Sequence, residues 1–163
     1  LEDYTNSEEK ESYLNSLSEK RAYWSLLLLN VADSKQELTD SLEMITESIQ
    51  KTLGDEDLNW IFDNNQKECQ SELSISSLHK GKIQNHVIDR TFIDEDNVRW
   101  IIDYKTGEHQ GTDLEGFFTE EKERYRHQLE EYEELVLHSG ERHLIKKALY
   151  YPMHKRLIEI EGK

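Results

Sequence analysis

A mixed α/β domain, with a central sheet flanked by helices, is the fold class this sequence predicts. Three observations predict it. Apolar residues recur at helical spacing over residues 35–53 and again over about 119–138. Between these stretches the period changes to two, across residues 71–105. Two further alternating runs close the chain, so the order is α, β-meander, α, β.

Residues 1–20, LEDYTNSEEKESYLNSLSEK, are polar and read as an edge or linker, with a single domain over 21–163. Tyr23, Trp24 and the leucines after them are better placed to dock on a core. Asp33 or Ser34 can cap the first clear helix, in which Leu38, Leu42, Ile45, Ile49 and Leu53 share a face, and Gly54 stops it. The piece DLNWIFDNNQ offers Trp60, Ile61 and Phe62 to the same core. SELSISSL, KIQNHVIDRTFI and VRWIIDYKT then read as three successive strands. A glycine-containing loop, GEHQGTDLEGFF, leads to a helix from about Thr119 to His138. Thr119 is the expected cap, Glu120 and Glu121 complement the first turn, and Gly140 ends the helix. Its buried stripe is Tyr125, Leu129, Tyr132 and Val136. HLIKKALYY and KRLIEI read as strands on either side of the single proline, Pro152.

Bulk composition narrows the function classes. The 163 residues suffice for one domain with a real core rather than two. A hydrophobic share of 35% and a charged share of 34%, with mean hydropathy −0.88, are polar for a compact domain. Three Trp, eight Tyr and four Phe keep the chain out of the disordered regime. A formal charge of −15 argues against a free-standing, non-specific DNA binder. It leaves room for a nucleic-acid enzyme whose DNA arrives through another domain. Cys69 is the only cysteine, which excludes an internal disulfide and a four-cysteine metal site. No apolar run is long enough to span a membrane, no signal peptide is visible, and a cytoplasmic location is expected. The chain begins at Leu1 and reads as part of something larger. There is no GxxxxGK[ST] loop.

The informative stretch is IDRTFIDEDNVRWIIDYKTG, residues 88–107, where two apolar strands each carry an aspartate. A five-residue connection from Asp94 to Val98 would set Asp89 opposite Asp103 and Phe92 opposite Trp100. Ile88, Phe92, Trp100, Ile102 and Tyr104 would then share one face, and Asp89, Thr91, Ile101, Asp103 and Lys105 the other. A four-residue connection would split the aspartates between faces. Opposed carboxylates, roughly 4.5–5.5 Å apart at Cβ, repel one another. A divalent cation relieves the repulsion, and carboxylate oxygens suit Mg²⁺ or Mn²⁺. Lys105 could orient water or stabilise charge developing on a phosphate. Taken singly, Asp103 with Lys105 is an ordinary surface ion pair worth about 0–1 kcal/mol. Their joint occurrence raises the functional reading.

IDR, then IIDYKTG, then YRHQLEEY resembles the RecB-like branch of the PD-(D/E)xK nuclease superfamily, with ALYYP resembling its closing strand. More narrowly it resembles the C-terminal nuclease domain of UvrD- or AddA-type helicase–nucleases, related to the exonuclease V beta subunit. The likeness covers about Glu72 to Tyr151. It implies a restriction-endonuclease-like central mixed sheet and a Mg²⁺- or Mn²⁺-dependent deoxyribonuclease of exonuclease type, serving DNA recombination and repair. Asp89 and Asp103 would bind the metal with the backbone carbonyl of Tyr104, and Lys105 would be the catalytic lysine. Gln128 and Tyr132, one helical turn apart, would contact DNA, and Glu72 would match an acid of the family's first strand. Implied partners are DNA, a helicase domain in the same full-length chain, and a second nuclease or helicase subunit, with no membrane.

One departure stands out. The family carries a histidine on an early helix, in a Gly-Thr-x-x-His-like segment, whereas the first histidine here is His79. The expectation is that this segment precedes Leu1. One alternative is a catalytically weak or inactive nuclease-like DNA-binding or scaffolding domain of a repair helicase. Another is an acidic interaction domain without a metal site. The seven histidines show no zinc spacing, and DEDN reads as a solvated hairpin turn rather than a calcium loop. Arg142, Lys146, Lys147, Lys155 and Arg156 could form a basic patch on DNA, or guard an edge strand.

Overall fold

A computed structural model of the chain describes residues 7–79, 82–107, 109 and 111–162. The chain divides into two compact units, Leu1–Asn64 and Asn65–Lys163.

The first unit holds helices α1 (Ser7–Asn15), α2 (Leu17–Leu28) and α3 (Lys35–Leu53), followed by a 3-10 turn at Asn59–Phe62. The stretch read as a polar edge is therefore helical from Ser7, while residues 1–6 lie outside the described residues. Its Glu, Lys and Leu are good helix formers, but no regular apolar stripe announces the helix. Ser34 caps α3 by accepting the Glu37 N–H at 3.1 Å, and Glu37 Oε2 accepts the Asp33 N–H at 2.7 Å. Arg21 ties α2 to α3, donating to Leu42 O and Thr46 Oγ1, each at 3.3 Å.

The second unit is a five-stranded mixed sheet: β1 (Lys67–His79), β2 (Lys82–Ile93), β3 (Val98–Tyr104), β4 (Leu144–Tyr151) and β5 (Arg156–Ile160), in that spatial order. Neighbours are antiparallel except β3 and β4. That parallel pair requires a crossover, and helix α4 (Leu114–His138) provides it. Leu129, Tyr132 and Val136 of α4 pack with Ile101, Leu149, Ile158 and Ile160 of the sheet. Burying an aliphatic side chain such as Leu129 contributes about 1.5–3 kcal/mol.

Helix α4 starts earlier than Thr119. Asp113 is the cap, accepting the Gly116 N–H at 2.8 Å, and Thr119 lies inside the helix, donating to Glu115 O. Gly116 made this segment read as loop, yet any side chain there would run into the Asp113 carboxylate, so the glycine serves the cap. Burial of Phe118 against Tyr151 and its neighbours offsets the ~1 kcal/mol a helical glycine costs. Glu108 and Gln110 of the preceding loop lie outside the described residues. At the far end Gly140 adopts φ 105°, the left-handed stop.

The β2–β3 hairpin has the five-residue connection. Phe92 faces Trp100 and Thr91 faces Ile101, and the pairing ends at Arg90 and Ile102, one step before Asp89 and Asp103. Asp94 organises the turn: its carboxylate accepts the N–H groups of Asp96 and Val98 and the Trp100 indole N–H. Those bonds outweigh burial and hold its carboxyl below the usual range.

One strand position corrects the sequence reading. Ile88 joins the α4-side core with Ile101 and Leu149, rather than the face of Phe92 and Trp100. The β1–β2 partners run Ser71↔Arg90, then Leu73↔Ile88, and between them Glu72 sits at φ 52°. That positive φ lies in β1, opposite the point where β2 passes from Arg90 on the Phe92 face to Ile88 on the other. Strand β1 also begins at Lys67, ahead of the expected SELSISSL, with a bulge between Lys67 and Gln70. Among the described residues, no helix is long and apolar enough to cross a membrane.

Candidate active site at the end of β3

Near the end of strand β3, Asp103 is buried and directed toward α4. The i, i+4 spacing on α4 puts Gln128 and Tyr132 on one face above it. Gln128 Nε2 donates to Asp103 Oδ1 at 3.0 Å and to Tyr132 Oη at 2.7 Å. Lys105 Nζ lies 2.5 Å from Asp103 Oδ2 as a close ion pair. That oxygen is buried, and the ammonium is its partner among the described residues. Across the sheet, Asp89 Oδ2 accepts the Tyr104 N–H at 2.7 Å.

Electrostatics tie these groups together. Burial holds the Asp103 carboxyl above its ordinary value, against the lowering effect of Lys105 and Gln128. The charge of Asp89 pushes in the same direction as burial, so the two carboxylates lie close enough to repel. The Tyr132 hydroxyl is likewise held up, by burial first and then by the charges of Asp103 and Asp89. It remains a neutral O–H donor at physiological pH.

Asp89, Asp103, Lys105, Gln128 and Tyr132 are therefore brought together. Tyr104, expected to ligate through its carbonyl, is held between them by its amide on Asp89 and by its ring edge-on to Tyr150 at 6.2 Å. Glu72 is not drawn in. It is exposed, and no hydrogen bond or ion pair of its side chain is found among the described residues.

Would a divalent cation suit this place? Among the described residues, no group of three or more His, Cys, Asp or Glu side chains could hold one. The donors are two carboxylates and a main-chain carbonyl, all hard oxygens of the kind Mg²⁺ and Mn²⁺ prefer, with solvent or substrate completing the shell. The buried Oδ2 of Asp103 already draws the Lys105 ammonium to 2.5 Å, so it is a ready acceptor of positive charge. The residues fit such an ion.

The run from Arg142 to Arg156 does not form one basic patch. Lys147 is buried facing α4 and paired with Glu133. Its neighbour Lys146 points the other way, 5.0 Å above the Trp100 ring, and pairs with Glu159 at 3.4 Å. Arg156 reaches Glu115 at 3.2 Å. Consecutive strand residues alternate faces, which a linear count of charges overlooks.

Two features escaped the sequence reading. Arg99, buried at the start of β3, donates from Nε to Glu141 at 2.6 Å and also pairs with Glu68. Tyr125, read as core, lies with its ring centroid 3.7 Å from Lys105 Nζ. Only its place in YRHQLEEY, three residues before Gln128, hinted at a role. Compared with protein-family models and with curated proteins, the chain matches none.

Proposed function

We propose that the second unit is a metal-dependent DNA nuclease domain of the RecB-like PD-(D/E)xK kind, cleaving phosphodiester bonds in an exonuclease manner. The observation that carries this reading is the convergence of Asp89, Asp103 and Lys105 beneath Gln128 and Tyr132. Two repelling, partly buried carboxylates are an unfavourable arrangement for a purely structural site. Mg²⁺ or Mn²⁺ held by Asp89, Asp103 and the Tyr104 carbonyl would supply Lewis-acid charge and lower the pKa of a water.

The chain's own residues do the rest. Gln128 holds the Asp103 carboxylate in one orientation. Lys105 offers positive charge to the phosphate as negative charge grows on its oxygens. Tyr132, a neutral donor, can hydrogen-bond a phosphate oxygen. An acidic domain would receive its strands from a helicase motor in the same full-length chain, working in cytoplasmic recombination and repair with a second nuclease or helicase subunit.

A second reading, a catalytically weak DNA-binding or scaffolding domain, is favoured by the absence of a third His, Asp or Glu ligand among the described residues. Mn²⁺-dependent degradation of end-labelled DNA separates the two, with Asp103→Ala as control. Cleavage by the wild-type chain alone supports the nuclease. DNA binding without cleavage above the control selects the second reading.

A further inference from the structure

We propose that Tyr125 is a positioning residue for Lys105, an assignment that deepens the nuclease reading and rests on it. Among the described residues, the Lys105 ammonium has contacts from two different elements. One is Asp103 Oδ2 in β3, at 2.5 Å, and the other is the Tyr125 ring of α4, at 3.7 Å from its centroid. The lysine side chain is only 17% exposed, so the ammonium sits between a carboxylate and an aromatic face with little water around it. In that setting the ring's negative face attracts a cation more strongly than it does at an open surface.

The sequence builds this arrangement on one helix face. Glu121, Tyr125, Gln128 and Tyr132 follow at spacings of four, three and four, so the ring stands one turn before the amide that holds Asp103. The ring also packs against the core cluster that includes Phe118, Leu129 and Tyr151, which fixes its plane. A lysine has four rotatable side-chain bonds, and a single contact leaves its tip free to swing. Two contacts from separate elements define a point.

The ring has a property that the carboxylate lacks. Once Asp103 shares its charge with a cation, its pull on the ammonium weakens. The ring is uncharged and keeps its attraction in both states. Tyr125 would thus hold Lys105 near the scissile phosphate when it is needed there. A simpler role, filling space in the core, depends on the shape of the ring and not on its electron density.

Lysine acylation read by mass spectrometry on the full chain distinguishes these roles without relying on catalysis. With limiting acetic anhydride, Tyr125→Leu should raise Lys105 acylation about tenfold relative to exposed Lys155. Buried Lys147 should stay protected, and Tyr125→Phe should restore protection of Lys105. Phenylalanines of rising ring fluorination at position 125 keep the shape while draining the negative face, so Lys105 reactivity should climb with each fluorine. This series decides the matter if Tyr125→Leu fails to fold. A flat series, or Lys147 rising in parallel, overturns the assignment. In the Mn²⁺ cleavage assay, Tyr125→Leu should slow the wild-type chain about tenfold and add nothing in a Lys105→Ala background. If the wild-type chain does not cleave while the acylation series climbs, the nuclease reading fails and the ring–ammonium contact stands. Intact cleavage with a flat series sinks the positioning role alone.

Discussion

Removing the charge of Glu141 gives a test whose size can be worked out. Glu141 is nearly buried, its side chain 7% exposed, in the turn between α4 and β4. It accepts the Arg99 Nε–H at 2.6 Å, the N–H groups of Arg142 and His143, and a contact from His143 Nδ1. Burial raises its proton affinity, but those partners overcome the effect and bring its pKa to about 2, against an ordinary 4.5. At about 1.4 kcal/mol per tenfold change in proton affinity, ionised Glu141 contributes about 3 kcal/mol to folding at neutral pH. The folded value is the lower one, so this stability is present above pH 4.5 and is lost as the pH falls through 2. About 2 kcal/mol of it should be gone by pH 3. Urea unfolding of wild type and Glu141→Gln at pH 7 and pH 3, followed by circular dichroism, reads the effect. The variant should be about 3 kcal/mol less stable at pH 7, with the gap shrinking to about 1 kcal/mol at pH 3. A gap of the same size at both pH values would show that Glu141 acts by packing and that the electrostatic account is wrong.

Two further outcomes follow from the site. Burial and the Asp89 charge favour protonated Asp103, so the metal-free fold is favoured at low pH and loses that contribution as the pH rises through the raised value. Asp103→Asn should therefore leave the metal-free chain no less stable at pH 7 while abolishing any Mg²⁺-induced rise in melting temperature. In the wild type, that rise should fade at a pH above the ordinary 3.8. Gln128→Leu and Tyr132→Phe both break the chain Asp103–Gln128–Tyr132. Their effects on cleavage should be non-additive by about 0.5–3 kcal/mol, and strict additivity would mean that the three do not act together.

The hairpin that carries the aspartates was legible because a five-residue connection sets Phe92 opposite Trp100, although Ile88 falls on the other face. Helix α3 was legible from Ser34, its stripe and Gly54. Other elements were hidden for identifiable reasons. Helix α1 has no regular apolar stripe, so periodicity is silent about it. The start of α4 depends on Phe118 finding Tyr151, a contact 33 positions away in the chain that local propensity does not register. Arg99 with Glu141 spans 42 positions and belongs to no motif. The site residues were found through a recognised pattern. Physical reasoning from the strands alone reached Asp89, Asp103 and Lys105, but not Gln128, Tyr132 or Tyr125.

The break in the sheet explains why Asp89 is where it is. The β2–β3 pairing ends at Arg90 and Ile102, and the next β3 amide that points across, Tyr104 N–H, is taken by the Asp89 side chain. A carboxylate oxygen replaces a backbone carbonyl at the end of the ladder. Nearby, the positive φ of Glu72 turns β1 where Asp89 leaves the regular alternation. Asp89 therefore has two roles, closing the strand pair and setting its charge near Asp103. Asp89→Ala would remove both, leaving the Tyr104 amide without that acceptor and shifting the carbonyl expected to ligate metal. Loss of cleavage in that variant would not tell the roles apart. Asp103 takes no part in closing the ladder through its side chain, and its substitution removes charge while β3 keeps its pairing with β4. Asp103 is the control that reports on chemistry, and Asp89 the one that reports on architecture.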